Sequence, residues 1–391
     1  MCVHCAWGGP LHGDRYNVRM SRHDRPSPLL GGLSPRRFLA RHWQKRPLLV
    51  RGAGDRLTGL LTSAELIALA CEDEVESRVV IRRGRRWEVR RGPFEPRFFR
   101  RLPARNWTFL VQGVDHFVAQ GRALLQHFDF IPYARLDDLM VSYARPGGGV
   151  GPHFDSYDVF LVQGAGRRVW RLQRPRDFRL VEGAPLKLIA DFEPDEEVLA
   201  EPGDLLYLPP GWGHDGVALE DCLTCSVGLR APQGEELAAA FLDYLHERGL
   251  PRGAYRDPRL RPARRSAEIP RPLAAHAVAV LGRIRWRRAD VEDFLGRTLS
   301  APKPHVVFRH PRRALARGAF ARALRLAAVV LDPRTQMLTL GARCFVNGES
   351  LRATRALRAL ADRRRGRLPA ALADCAYRWY LSGYLHLEHA R

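Results

Sequence analysis

His153 and Asp155, separated by one residue, and His214 sixty-odd positions later carry the residue types of a three-ligand metal centre. Residues i and i+2 of a β-strand project from the same face, so His153 and Asp155 can reach one ion. His214 closes the turn Pro209-Pro210-Gly211-Trp212-Gly213-His214, just after the apolar run Leu205-Leu206-Tyr207-Leu208. A strand returning from that turn brings a second imidazole to the same ion. Two imidazoles and one carboxylate form the facial triad of non-haem Fe(II) oxygenases. Three protein ligands leave half of an octahedron open, as oxygen activation with a co-substrate requires.

In a chain with 14 histidines, an isolated His-x-Asp arises by chance, so the flanking residues decide its meaning. Pro146-Gly147-Gly148-Gly149-Val150-Gly151-Pro152 forms an approach loop whose glycines permit close backbone contact. Tyr157 to Gln163 has strand composition, Gly164-Ala165-Gly166 signals a hairpin turn, and Arg167 to Leu172 reads as the return strand. A guanidinium on a strand beside a metal suits a dicarboxylate, because it binds carboxylate through a two-pronged fork. Which of Arg167 and Arg168 points inward depends on the register of the turn.

Pro146 to Trp170, together with Pro-Pro-Gly-Trp-x-His at 209–214, resembles the JmjC/cupin-like 2-oxoglutarate oxygenases. The string Pro-Gly-Gly-Gly-Val-Gly-Pro-His-Phe-Asp-x-Tyr-Asp-Val-Phe, followed by Gln-Gly-x-Gly-Arg-Arg, is most similar to the bacterial ribosomal oxygenases. Those enzymes hydroxylate an arginine of the large-subunit ribosomal protein L sixteen. The likeness runs from about Leu33 to the C-terminus. It implies a mainly β fold with α: a double-stranded β-helix (jelly roll), a helical dimerisation segment and a winged-helix-like C-terminal domain. It implies Fe(II) held by His153, Asp155 and His214, with 2-oxoglutarate and O2 as co-substrates. It also implies that Arg168, helped by the Ser142 hydroxyl, holds the distal carboxylate of 2-oxoglutarate. A ribosomal protein is the implied substrate, and a homodimer the implied assembly. The expected division is an extension at 1–19, the oxygenase domain at 20–232, a helical dimerisation and linker region at 233–300, and the winged-helix-like domain at 301–391.

The 391 residues suffice for two or three domains with real cores. No run approaches the roughly 20 apolar residues of a membrane span, and the N-terminus lacks a signal-peptide core, so a cytoplasmic protein is expected. The seven cysteines include two C-x-x-C pairs, Cys2/Cys5 and Cys222/Cys225. A strand turns Cys222 and Cys225 to opposite faces, so reduced thiols are expected and not a zinc ribbon. Charge is unevenly distributed. Residues 1–250 hold 34 basic against 32 acidic side chains, and residues 251–391 hold 30 against 10. A cationic last third suits an anionic neighbour such as ribosomal RNA. An arginine-rich composition throughout the chain accounts for the same excess.

Ser34-Pro35 starts a helix with an N-cap and Pro in its first turn, and Leu48–Val50 reads as a short strand. Thr62-Ser63-Ala64-Glu65-Leu66 starts a second helix with capping chemistry. Residues 106–112 predict a strand and 114–128 one amphipathic helix. From 139 to 229, strands alternate with Gly/Pro turns. Residues 235–250 predict a helix with Leu237, Phe241, Leu242 and Leu245 on one face. An Arg/Pro-rich linker at 251–272 precedes helices at 273–291 and 313–330, wing strands at 336–340 and 344–347, and helices at 351–363 and 369–382. A cationic substrate side chain needs carboxylate or aromatic partners, and Tyr133, Asp137, Asp138, Tyr143 and Asp158 are candidates. The acidic run 191–201 offers a further attraction for a basic polypeptide. Other oxygenase readings are hydroxylation of a histidine or demethylation of lysine. A reading of another class is a cationic RNA- or ribosome-binding protein on a non-catalytic cupin scaffold.

Overall fold

A computed structural model describes residues 21–54, 58–262 and 264–388. The expected extension at 1–19 lies outside the described residues. Helix α1 (Pro35–Arg41) begins where the Ser34 hydroxyl accepts from the Arg37 amide. Strand β1 (Leu48–Val50) and helix α2 (Ser63–Ala70) follow, the latter closed by a reciprocal Thr62–Glu65 capping box. A hairpin of β2 (Ser77–Arg83) and β3 (Arg86–Arg91), α3 (Pro96–Arg100) and β4 (Trp107–Val111) complete the lead-in.

Residues 114–128 do not form one helix. Val114–His116 make a single tight turn, Val118 is extended, and helix α4 spans Ala119–Gln126. The break goes with the buried Asp115, whose carboxylate accepts from the Leu139 amide across the chain at 3.0 Å.

The jelly roll follows: β5 (Leu136–Ala144), β6 (His153–Phe154), β7 (Val159–Ala165), β8 (Arg168–Gln173), β9 (Glu196–Ala200), β10 (Leu205–Leu208), β11 (Gly213–Ala218) and β12 (Cys222–Leu229). One sheet has the order β1-β10-β7-β12-β5-β4-β2-β3, and the facing sheet β6-β11-β8-β9. Gly164-Ala165-Gly166 is therefore not a hairpin turn. Strand β7 pairs with β10 and β12, whereas β8 pairs with β11 and β9, so the turn carries the chain from one sheet to the other. A glycine turn states that the chain reverses, not which sheet receives it.

Both faces of the larger sheet are covered, which is why its central strands read as continuous apolar runs. Phe160, Val162, Leu205 and Tyr207 pack under the N-terminal helices with Phe38 and Phe128. Val159, Leu161, Leu206 and Leu208 face Trp170, Leu172 and Val198 of the smaller sheet. At the edge of this layer Asp158 is fully buried. It accepts from Tyr207 Oη (2.6 Å), Gln44 Nε2 (2.9 Å) and Arg135 Nη2 (3.4 Å), so the charge is paired.

Helix α5 (Gly234–Arg248) buries Leu245 and sets Phe241 edge-on to Phe294, but Leu242 on the predicted face is 63% exposed. The stretch 273–291 holds two helices, α6 (Arg271–Leu281) and α7 (Arg288–Ser300). The first ends at Gly282, and the second starts where the Asp290 carboxylate accepts from the Arg287 amide. Helix α8 (Arg317–Leu326) ends before 330, because Ala328–Leu331, with two β-branched valines, forms β13.

The wing is β14 (Met337–Leu340), β15 (Arg343–Val346) and β16 (Glu349–Arg352). Helix α9 (Arg355–Arg363) is capped by Thr354, so the expected helix from 351 begins later. Strands β17 (Arg365–Gly366) and β18 (Leu385–Glu388) flank β13, and α10 (Ala373–Leu381) packs Trp379 into a second core with Phe320 and Leu360. Among the described residues, no helix is long and apolar enough to cross a membrane.

Candidate metal centre and co-substrate cavity

Strand β11 pairs antiparallel with β6 so that His214 lies opposite His153 in register. Asp155 follows directly after β6. The register brings the ligand atoms of His153, Asp155 and His214 within 4.8 Å of one another. The two imidazole centroids are 4.2 Å apart, and His214 Nε2 lies 3.7 Å from Asp155 Oδ2. Each ring is oriented by the backbone. His153 Nδ1 donates to the Gly151 carbonyl (2.9 Å), and His214 Nδ1 to the Trp212 carbonyl (3.0 Å). A protonated Nδ1 leaves the Nε2 lone pair to face the carboxylate, as metal ligation requires. Burial, with the neighbouring His153 as second cause, pushes His214 down to about 4, so it is neutral near pH 7. This donor set fits a divalent transition ion.

The glycine loop makes the approach possible. Gly147 donates to the Ala218 carbonyl and Ala218 to the Gly148 carbonyl, which lays the loop along β11. A Cβ on Gly148 would collide with the Trp107 carbonyl, and one on Gly149 with that of Gly216.

A cavity of about 340 Å³ opens from these ligands between the two sheets. Arg168, which is 4% exposed, lines it. Arg168 donates to the Gly216 carbonyl (3.2 Å) and toward Cys222 Sγ (3.4 Å), and its guanidinium lies 5.5 Å from the Trp170 ring centroid. Its Nε is buried without an acceptor, a donor that a bound carboxylate would satisfy. Ser142 also lines the cavity, its hydroxyl 3.5 Å from the Thr224 carbonyl. Arg167 points the other way and pairs with the exposed Glu220 at 3.0 Å.

Of the candidates for a cationic side chain, Asp137 and Asp138 line the cavity, and Tyr133, Tyr143 and Asp158 do not. Tyr143 donates to Asp221 on the outer side of the sheet, and Asp158 belongs to the buried network with Tyr207. Burial raises Asp138 to about 6, against the pull of Lys303. In the acidic run, Asp191 and Glu197 are exposed and occupied by Arg179 and Arg171. Tyr157 lines the cavity beside Asp155.

Sequence reasoning passed over Arg78, Gln112 and Ser226, which also line it. Arg78 lies on β2 among the buried Ser77, Val79, Val80 and Ile81, a run without two-residue alternation, so no local pattern marks it.

Residues 123–237 match the family model described as the JmjC domain, and residues 283–386 match that of the ROXA-like winged helix. The ribosomal protein uL16 3-hydroxylase of Escherichia coli (strain K12) is 42% identical over 235 residues, which cover 59% of this chain and 62% of that protein. The solved structure of YcfD, a ribosomal oxygenase from Escherichia coli, is 33% identical with a TM-score of 0.76, covering 91% of this chain and 98% of that one. The chain belongs to the JmjC ribosomal oxygenases. A further structure holds YcfD in complex with cobalt and 2-oxoglutarate, and matches this ribosomal oxygenase at 32% identity with a TM-score of 0.77, covering 91% of this chain and 98% of that one. The curated relative is matched over less than two thirds of its length, whereas the structural likeness spans nearly all of YcfD.

Proposed function

We propose that this chain is an Fe(II)- and 2-oxoglutarate-dependent hydroxylase acting on an arginine of the large-subunit ribosomal protein uL16. The observation that carries the reading is a single cavity lined by the His153/Asp155/His214 cluster, by Arg168 with its Nε unpartnered and by Asp138. His153, Asp155 and His214 would hold the iron. Arg168 and the Ser142 hydroxyl would hold the distal carboxylate of 2-oxoglutarate. Bound Fe(II), 2-oxoglutarate and O2 together supply the oxidation that inserts one oxygen atom into a substrate C–H bond, with release of succinate and CO2.

The protein's own part is positioning and exclusion of water. Ser142, Met140 and Asp138 lie at alternate positions on one face of β5, so a strand rise of about 3.3 Å per residue separates the outer two by about 13 Å. One end of the strand serves the dicarboxylate and the other a cationic side chain. Val159, Leu161 and Trp170 line the cavity with apolar surface. A guanidinium brought to Asp138 gains a buried carboxylate partner, which a neutral side chain cannot match.

The boundaries in this reading are 20–232 for the oxygenase, 233–300 for a dimerisation and linker region and 301–391 for the winged helix. The protein works in the cytoplasm as a homodimer, and its cationic last third lies near ribosomal RNA when the substrate is ribosome-bound. The experiment is anaerobic calorimetry with Fe(II) and then 2-oxoglutarate. Stoichiometric binding of both, lost in His153→Ala with Asp155→Ala, supports the oxygenase. Absence of metal binding leaves the alternative of a cationic ribosome-binding protein.

A further inference from the structure

The acidic pair at the substrate end of the cavity is held from outside the jelly roll. Lys303 stands between Pro302 and Pro304, three residues after α7, in the segment that leads to the winged helix. Its Nζ lies 3.0 Å from Asp137 Oδ2 and 3.5 Å from Asp138 Oδ2. Arg230, just after β12, pairs with Asp137 at 3.1 Å and donates to the Leu299 carbonyl at the end of α7. Among the described residues, Lys303 is the only ion-pair partner of Asp138. Gln112 Nε2 adds a neutral hydrogen bond to Asp138 at 3.3 Å.

The electrostatics need such a cation. Asp138 is 6% exposed, with Asp137 beside it in sequence and Asp115 near, so burial and like charge both oppose its ionised form. Tyr157 and Arg78 line the same cavity, and burial with the nearby carboxylates pushes the Tyr157 phenol up, so it is neutral near pH 7. Two flanking prolines restrict the backbone from which Lys303 reaches in.

We infer that Lys303 is a positioning residue for the cationic substrate side chain: supplied by the C-terminal third, it holds Asp138 as an oriented carboxylate, so the oxygenase site is incomplete without that third. This rests on the arginine-hydroxylase reading above. Lys303 touches the carboxylates, not the reacting atoms, so its loss weakens substrate capture more than turnover.

The test compares wild type with Lys303→Met, Lys303→Gln and Lys303→Arg, using the host's uL16 as substrate and thermal melting as the folding control. The Met and Gln variants are expected to raise KM for uL16 about tenfold, with kcat and KM for 2-oxoglutarate changing little. The acid limb of kcat/KM is expected to move upward by about one pH unit, as Asp138 loses its counter-cation. Lys303→Arg restores most of the loss. An unchanged or lowered KM for uL16 in a folded variant overturns the inference, as does an equal loss in kcat and in KM for 2-oxoglutarate. A wild-type chain that binds metal and 2-oxoglutarate but leaves uL16 unmodified overturns the substrate reading, and this inference with it.

Discussion

At the scale of single residues, the neighbouring arginines separate cleanly. Arg168 is buried in the cavity with an unsatisfied Nε, and Arg167 is a solvent-exposed partner of Glu220. Replacing Arg168 by Met removes a charge-assisted contact worth about 2–3 kcal/mol. KM for 2-oxoglutarate is therefore expected to rise roughly 30- to 150-fold, with metal binding retained. Arg168→Lys restores little, because an ammonium lacks the planar fork. Arg167→Ala leaves KM for 2-oxoglutarate at the wild-type value, and equal losses in the two variants would contradict the assignment. The same residues show what was legible in the sequence. His153 and Asp155 needed only the two-residue period of a strand, and His214 needed a strand after a turn. The choice between Arg167 and Arg168 needed a register. Lys303 meets Asp138 through tertiary packing across more than 160 positions, and no local pattern signals it.

At the scale of elements, caps and apolar runs were legible because their physics is local. Ser34 and Thr62 each accept from an amide three residues on, whereas the Thr354 cap went unread and the helix behind it was expected to start at 351. The destination of a strand was not. The turn at Gly164-Ala165-Gly166 gives no sign that β8 joins the opposite sheet, which depends on where β11 and β9 already lie. The helix expected over 114–128 broke for a tertiary reason, the reach of Asp115 to the Leu139 amide. The network at the start of β7 has a consequence for stability. Tyr207→Phe removes the donor at 2.6 Å from the fully buried Asp158, a loss of about 1–3 kcal/mol. A lower midpoint of chemical denaturation is expected, with KM for 2-oxoglutarate unchanged because Asp158 does not line the cavity. An unchanged midpoint would show that the carboxylate is satisfied by Gln44 and Arg135 alone.

At the scale of the whole molecule, charge and apolar exposure divide the chain. The oxygenase half is nearly neutral and the last third strongly cationic, an asymmetry visible in sequence. Which apolar side chains stay uncovered was not visible there. Leu242 of α5 and Val278 and Leu281 of α6 are 63%, 72% and 65% exposed. In the dimer proposed above, these side chains would lie in the interface. Val278→Glu with Leu281→Glu is expected to halve the mass seen by light scattering, and an unaltered mass would remove this region from the interface. The family fold and the clustering of His153, Asp155 and His214 were thus within reach of sequence reasoning, whereas the joint between oxygenase and winged helix was not, because it is made by residues distant in the chain. The central claim concerns where one oxygen atom goes. The most direct measurement is turnover under ¹⁸O₂ with Fe(II), 2-oxoglutarate and the host's purified uL16, followed by peptide mass spectrometry. One ¹⁸O atom on an arginine of uL16, absent with His153→Ala and Asp155→Ala, is the predicted result. A uL16 that stays unlabelled, or that carries the ¹⁸O atom on a residue other than arginine, would contradict it.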